Sequence, residues 1–286
     1  MHFRYWYIPL LAAGVFGFSS LQAQNLMGGQ ISPQEKEAFK KRVKGIEQFM
    51  KRFNHEEDLT GKPTQAQTLD TAFLEGRKRS ITYLLDYKKY GQANQEEAGR
   101  VRKFIDYVNK GDSTAWFLDF YDQGWYAQVT MEAKHQGKPI DLALTLKNEV
   151  VGDKKSKWVV TGVVSEALKL ENQDPSAFLP PNASGTNFIA LGDALEAPEN
   201  APAYTSEGFQ ADPLTMFFTH LQVGTLEVGR VKQVSFHFLQ FPGWGMVVEE
   251  FNRIEGANSG WLISDVFPLL NRDRYRARQL GMSTKQ

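Results

Sequence analysis

Residues 125–164 read WYAQVTMEAKHQGKPIDLALTLKNEVVGDKKSKWVVTGVV, and the period of this stretch decides the fold class. Ile140, Leu142, Leu144 and Leu146 alternate with Asp141, Ala143 and Thr145, the two-residue repeat of a strand with one buried face. Trp125 to Lys134 predicts a strand before it. Trp158, Val160, Gly162 and Val164 mark one after it. Gln136-Gly137-Lys138-Pro139 and Val151-Gly152-Asp153-Lys154 supply the turns, so the three strands predict an antiparallel meander.

Upstream the period is helical. Ser32 can cap a helix, Pro33 fits its first position and Glu35 closes a capping box. Phe39, Val43, Ile46, Met50 and Phe53 then recur every three or four residues, with Lys36, Lys40, Lys41, Lys44 and Lys51 mostly off that stripe. Residues 64–90 read two ways. Leu69, Ala72 and Phe73 suit a helix, while Ile81-Thr82-Tyr83-Leu84-Leu85 suits either a further turn or a short strand. Asn94 and Glu97 open another helix with a stripe of Val101, Phe104, Ile105 and Val108, and Gly111 follows its end.

Downstream, residues 171–213 hold six of the chain's 12 prolines (Pro175, Pro180, Pro181, Pro198, Pro202, Pro213) and little periodicity, which predicts a linker or long loop. One short helical candidate runs from Leu214 to Leu221. A second meander follows: Val234, Phe236, Phe238 and Phe241 lead into a Pro242-Gly243-Trp244-Gly245 turn, Met246 to Asn252 returns, and Trp261 to Phe267 closes it. Asn271 to Gln286 carries Arg272, Arg274, Arg276, Arg278 and Lys285 against one acid, Asp273. It reads as a basic tail, either frayed in solvent or suited to an anionic surface.

The start of the chain gives an address. In residues 1–23 Arg4 supplies a basic start, Ile8 to Phe18 an apolar run, and Leu21-Gln22-Ala23 a cleavage site, the pattern of a secretory signal. The run is too short for a spanning helix, and no later stretch offers a transmembrane segment. There is no cysteine, so disulfides, thiolate metal sites and cysteine nucleophiles are excluded. Export without cysteine points to a bacterial envelope, meaning the periplasm, the outer-membrane surface or the medium, after cleavage near Ala23. Thirty-three basic against 33 acidic residues leave no electrostatic footprint for nucleic acid.

The two meanders end alike. Ser156-Lys157-Trp158-Val159-Val160-Thr161-Gly162-Val163 aligns with Ser259-Gly260-Trp261-Leu262-Ile263-Ser264-Asp265-Val266, which suggests a duplicated unit or convergence on a good terminal strand. Helices followed by an antiparallel sheet whose last strand reads turn-Trp-apolar-apolar resemble the nuclear transport factor two-like superfamily, best over residues 33–168. The resemblance implies a cone-shaped α+β fold with helices packed on a curved antiparallel sheet. It also implies an interior that some members use for isomerase or dehydratase chemistry and others leave without catalysis. The expected organisation is a signal peptide (1–23), an α+β module of this kind (24–170), a Pro-rich linker or long loop (171–213) and a second antiparallel module with a basic tail (214–286), which is either a degenerate copy of the first meander or an extension completing one larger sheet.

No motif fixes a chemistry, and no cofactor is implied. Of the five histidines, His2, His55, His135, His220 and His237, no two are spaced as helical metal ligands. His55-Glu56-Glu57-Asp58 reads as a solvated helix end rather than a metal site. Tyr126, His237, Glu249 and Asp265 are the acid-base candidates for a cone interior, and none matches a family motif. The rings are more informative. Trp116-Phe117, Phe120-Tyr121 and Trp125-Tyr126 place six aromatics in eleven residues, suited to core filling or to lining a cavity for a small apolar or sugar ligand. Trp244, between two glycines at a predicted hairpin tip, is the candidate contact for an envelope protein or a second copy of the chain. The contact set is Trp244, Trp116, Trp125 and Tyr126. The function expected is an exported, non-catalytic binding or assembly module. The alternative is an isomerase, dehydratase or hydrolase acting on a small molecule in a cavity of the first module.

Overall fold

The computed structural model describes residues 45–58, 60–64, 69–110, 115–152, 155–169, 211–253 and 258–283, with 192, 195, 196, 204 and 205 as isolated positions. The signal sequence, the helix start at Ser32 and nearly all of the Pro-rich segment lie outside the described residues. The fold is α+β: helices and one open six-stranded antiparallel sheet.

Helix α1 covers 45–53 and buries Ile46, Phe49, Met50 and Phe53. The ambiguous region resolves as α2 (Thr71–Tyr83), capped by Asp70, whose side chain accepts from the Phe73 amide, and a one-turn α3 (Tyr87–Tyr90). Helix α4 (Gln95–Val108) starts where the sequence places it. Asn94 accepts from the Glu97 amide, and Val101, Phe104, Ile105 and Val108 form the buried stripe.

Strands β1 (Trp125–His135), β2 (Lys138–Gly152) and β3 (Lys155–Val164) form the first meander. Gln136 and Gly137 carry φ of 51° and 77°, the left-handed pair a two-residue hairpin turn requires, so Lys138 and Pro139 already belong to β2. Helix α5 (Pro213–Gln222), capped by Asp212, precedes β4 (Leu226–Phe238), β5 (Trp244–Phe251) and β6 (Gly260–Pro268). Strand β4 begins eight residues before the apolar alternation starts at Val234. Its first half is mostly exposed and is held by pairing with β1, from His135↔Leu226 onward, rather than by burial. Pairing of β1 with β4 also joins the two meanders in the order β3-β2-β1-β4-β5-β6, so the second one completes the first sheet and is not a separate sheet.

The largest apolar cluster lies between helices and one face of this sheet. It unites Phe49, Phe53, Ile81 and Phe104 with Trp125, Phe236, Phe238, Met246, Val248 and Ile263. At the far end of the first hairpin, Phe217 of α5 packs on Ala133, Leu142, Val163 and Leu226. The opposite face is crossed by the C-terminal segment, which corrects its reading as a tail. Asn271 caps α6 (Arg272–Gln279), and Tyr275, Leu280 and Met282 cluster with Tyr126, Leu239 and Leu269.

The crossing can be followed strand by strand. Tyr275 meets His237 of β4, Gln128 of β1 donates to the Gln279 carbonyl at 2.8 Å, and Thr145 of β2 donates to the Leu280 carbonyl at 2.7 Å. The Val163 amide of β3 then donates to the Gly281 carbonyl at 3.1 Å, and Met282 bridges Gly162. A side chain at Gly162 would collide with the Leu280 carbonyl, which accounts for the glycine in this strand. The other edge is bridged too, at Ile263. The Ile263 amide of β6 donates to the Leu84 carbonyl, and the Asp86 amide to the Ile263 carbonyl. Positions bridged in this way are closed to pairing with other chains.

Candidate functional site

Three aromatic rings from separate parts of the chain meet beside the C-terminus of α4. Tyr107 stacks on Trp116 with centroids 6.4 Å apart and planes 8° from parallel, and it meets Trp244 at 6.5 Å. The Lys110 ammonium lies 5.6 Å from the Tyr107 centroid. Trp116 is 37% exposed, Tyr107 and Trp244 are half-buried, and the adjoining Phe117 is also 37% exposed.

The segment carrying Trp116 and Phe117 is held by hydrogen bonds along its length. The Trp116 amide donates to the Val108 carbonyl, and its carbonyl accepts from Arg77. Asn54 clasps Leu118 like a strand neighbour, donating to its carbonyl and accepting from its amide, both at 2.8 Å. Gln240 does the same for Asp119, donating at 2.6 Å and accepting at 3.2 Å.

Of the four contact residues expected from sequence, the structure joins Trp116 and Trp244 through Tyr107 and places the others elsewhere. Trp244 is the first residue of β5, not an exposed tip: Gly243, at φ 73°, takes the turn, and the Trp244 ring packs 5.7 Å from Phe104. Trp125 is fully buried. Its Nε1 donates to the Phe120 carbonyl, and its ring lies on Phe238 at 5.6 Å and edge-on to Trp158 at 5.2 Å. Tyr126, next in the strand, is buried on the opposite face beneath Arg276. Neither ring offers a surface to a ligand, because successive strand residues point to opposite, covered faces.

All four acid-base candidates lie on the face away from the main helical layer. Tyr126 pairs with His237, His237 with Val247, Val247 with Asp265, and Ser235 with Glu249, and cross-strand partners share a face. Asp265 accepts from Lys89 at 3.0 Å, and Glu249 from Gln233 at 2.6 Å. His237 is buried, with Nδ1 2.8 Å from the Tyr275 hydroxyl and Nε2 3.1 Å from Ser235 Oγ. Burial lowers its pKa to about 4, so it is a neutral hydrogen-bonding group at neutral pH and a weak base.

This imidazole predicts acid sensitivity. In the unfolded chain His237 takes a proton near its ordinary value of 6.5, whereas the folded protein resists protonation down to about 4. Stability is therefore complete above 6.5 and falls as the pH drops from 6.5 towards 4. At 1.36 kcal/mol per unit the loss is about 3 kcal/mol. Melting temperatures measured across that window should decline in the wild type and decline less in His237→Gln. Parallel curves would show that other groups dominate.

His55 does not gather its acidic neighbours. Its Nδ1 lies 3.0 Å from Ser80 Oγ and its ring is edge-on to Phe73, while Asp58 closes its own loop by accepting from Thr60 and Lys62. The structure instead pairs His135 with His220, which no sequence spacing signals. Arg77, fully buried yet embedded in a charged stretch, was equally hidden.

The class defined by this architecture is an α+β protein with one open six-stranded antiparallel sheet. No family model matches the chain, and no curated protein or solved structure matches it.

Proposed function

We propose that this chain is an exported, non-catalytic binding or assembly module of the bacterial envelope, meeting a partner protein or a second copy of itself through the Tyr107–Trp116–Trp244 shelf. The observation that carries this reading is the shelf itself, ring surface left in water with Trp116 on a segment pinned by Asn54, Arg77 and Gln240 and its neighbours on α4 and β5. Covering roughly 100 Å² of it at about 25 cal/mol per Å² contributes roughly 2.5 kcal/mol, the scale of an interface anchor. The space between the sheet and α1, α2 and α4 supports the same reading: it is occupied by apolar side chains, and the polar candidates for catalysis are on the other face.

We also read the two meanders as copies of one unit, in keeping with the nuclear transport factor two-like resemblance. The strand order is symmetric about the β1–β4 pair. Trp158 and Trp261 occupy the two edge strands against the same cluster, Trp261 meeting Phe236 at 5.0 Å.

The test is cell fractionation combined with one mutant. Mature protein should begin at Gln24 and be found outside the cytoplasm. Trp116→Ala should melt like wild type while its association, followed by sedimentation of the chain alone and with isolated envelopes, weakens about tenfold, or 1.4 kcal/mol. Intact Met1 in the cytosol would overturn the location, and unchanged association would overturn the role of the shelf.

A further inference from the structure

The last residue of β1 and the last turn of α5 bring together two histidines far apart in sequence. His135 Nε2 lies 3.3 Å from His220 Nδ1, and the rings are edge-to-face with centroids 4.6 Å apart. We propose that this pair binds a divalent first-row transition cation, such as zinc, nickel or copper, through one nitrogen of each imidazole.

The spacing carries the argument. Two nitrogens bound at about 2.05 Å to a tetrahedral ion lie about 3.3 Å apart. The pair already has that separation, so binding asks only for ring rotation that aims both lone pairs at one point and for no approach of the two backbones. Both rings bind as neutral imidazoles, with the N–H on Nδ1 of His135 and Nε2 of His220, so binding needs a change of tautomer and no oxidant or other reactant.

The frame around the pair is rigid. The Gln136 amide donates to the Thr225 carbonyl at 2.7 Å, and the Thr225 amide to the His220 carbonyl at 3.0 Å, locking the hairpin end to the turn after α5. Thr225 Oγ1 is 2.9 Å from His220 Nδ1, but its hydroxyl has the His220 carbonyl as a second acceptor at 3.2 Å and can release the Nδ1 lone pair. Water completes the coordination shell. An all-imidazole protein donor set favours the zinc, nickel and copper group over calcium and magnesium, which demand oxygen ligands.

The experiment uses the untagged mature chain, freed of metal by chelator, titrated with zinc sulfate and separately with nickel sulfate, by calorimetry and by thermal melting. The expected result is one ion per chain, a raised melting temperature, and at least tenfold weaker binding in both His135→Asn and His220→Asn, while His55→Asn binds like wild type. Cobalt supplies a spectroscopic check: a visible ligand-field band should appear with wild type and be absent in the two variants. Circular dichroism establishes that the variants fold. If they do not, the proposal still falls on wild type alone when zinc at millimolar concentration gives neither heat nor a shift in melting. Equal binding by folded His135→Asn and His220→Asn, or an equal shift with calcium, also overturns it.

Discussion

Arg77→Ala will destabilise the protein by about 2–6 kcal/mol, read as a fall in the urea midpoint. Arg77 is fully buried, and its guanidinium is shared among backbone carbonyls rather than paired with a carboxylate. Its Nε donates to the Phe53 carbonyl at 3.2 Å and its Nη1 to the Val108 carbonyl at 2.8 Å. Nη2 donates to the Trp116 carbonyl, and Asn109 Oδ1 lies 3.4 Å from Nη1.

Phe53 and Val108 end α1 and α4, so a single cation serves two helix C-termini, where the backbone dipoles favour positive charge. Phe117 covers the guanidinium at 4.2 Å. Burial lowers the pKa to about 10, which still leaves the group charged at neutral pH. Alanine strands the Phe53 and Trp116 carbonyls and leaves the Val108 carbonyl with the Trp116 amide alone, and each buried orphan costs about 1–3 kcal/mol. Arg77→Lys keeps the charge but replaces a rigid fork with a compact ammonium, and it should recover only part of the loss. A midpoint for Arg77→Ala within 1 kcal/mol of wild type would mean that water replaces the guanidinium and that Arg77 does not hold the helical layer together.

The contrast between Arg77 and Asn94 shows what the sequence carries. Asn94 works through a contact three residues away, so its capping role is visible in a short window, as is the alternation of Ile140 to Leu146. These give the α+β class and most strand positions. Arg77 lies among charged neighbours in LEGRKRS, and nothing local distinguishes it from a solvated residue. Its role depends on two helix ends and the Trp116 segment converging on it. The first half of β4 was hidden for a related reason, because strand pairing leaves no apolar signature. The candidate site was half legible. Clustered rings mark residues 116–126 as important, but which rings face solvent depends on α6 and α4 covering Tyr126 and Trp244. The His135–His220 pair is formed only when β1 and α5 are both in place.

The C-terminal segment provides the second large effect, since there composition and structure disagree most. RDRYRARQ is strongly basic, and Arg272, Arg274 and Arg278 are indeed exposed. The residues between and after them hold the segment down. Tyr275 stacks on Phe267 with planes 16° apart, Arg276 lies over the Tyr126 ring, and Leu280 is fully buried. Leu280→Ala should therefore cost about 2–5 kcal/mol, the range for a buried leucine.

Gly281 has φ 58°, and a side chain there would strike the Val163 carbonyl, so Gly281→Ala should cost about 1–3 kcal/mol. Deleting residues 271–286 should exceed both, because it uncovers Tyr126, Leu239 and Leu269 together and opens the β3 edge to pairing with other chains. Thermal melts of the three variants, with light scattering on the deletion, separate a docked segment from a solvated one. A docked segment gives that order of loss and aggregation of the truncated chain. Unchanged melting in Leu280→Ala and in the deletion would return these residues to the role their charges first suggest, a tail in water.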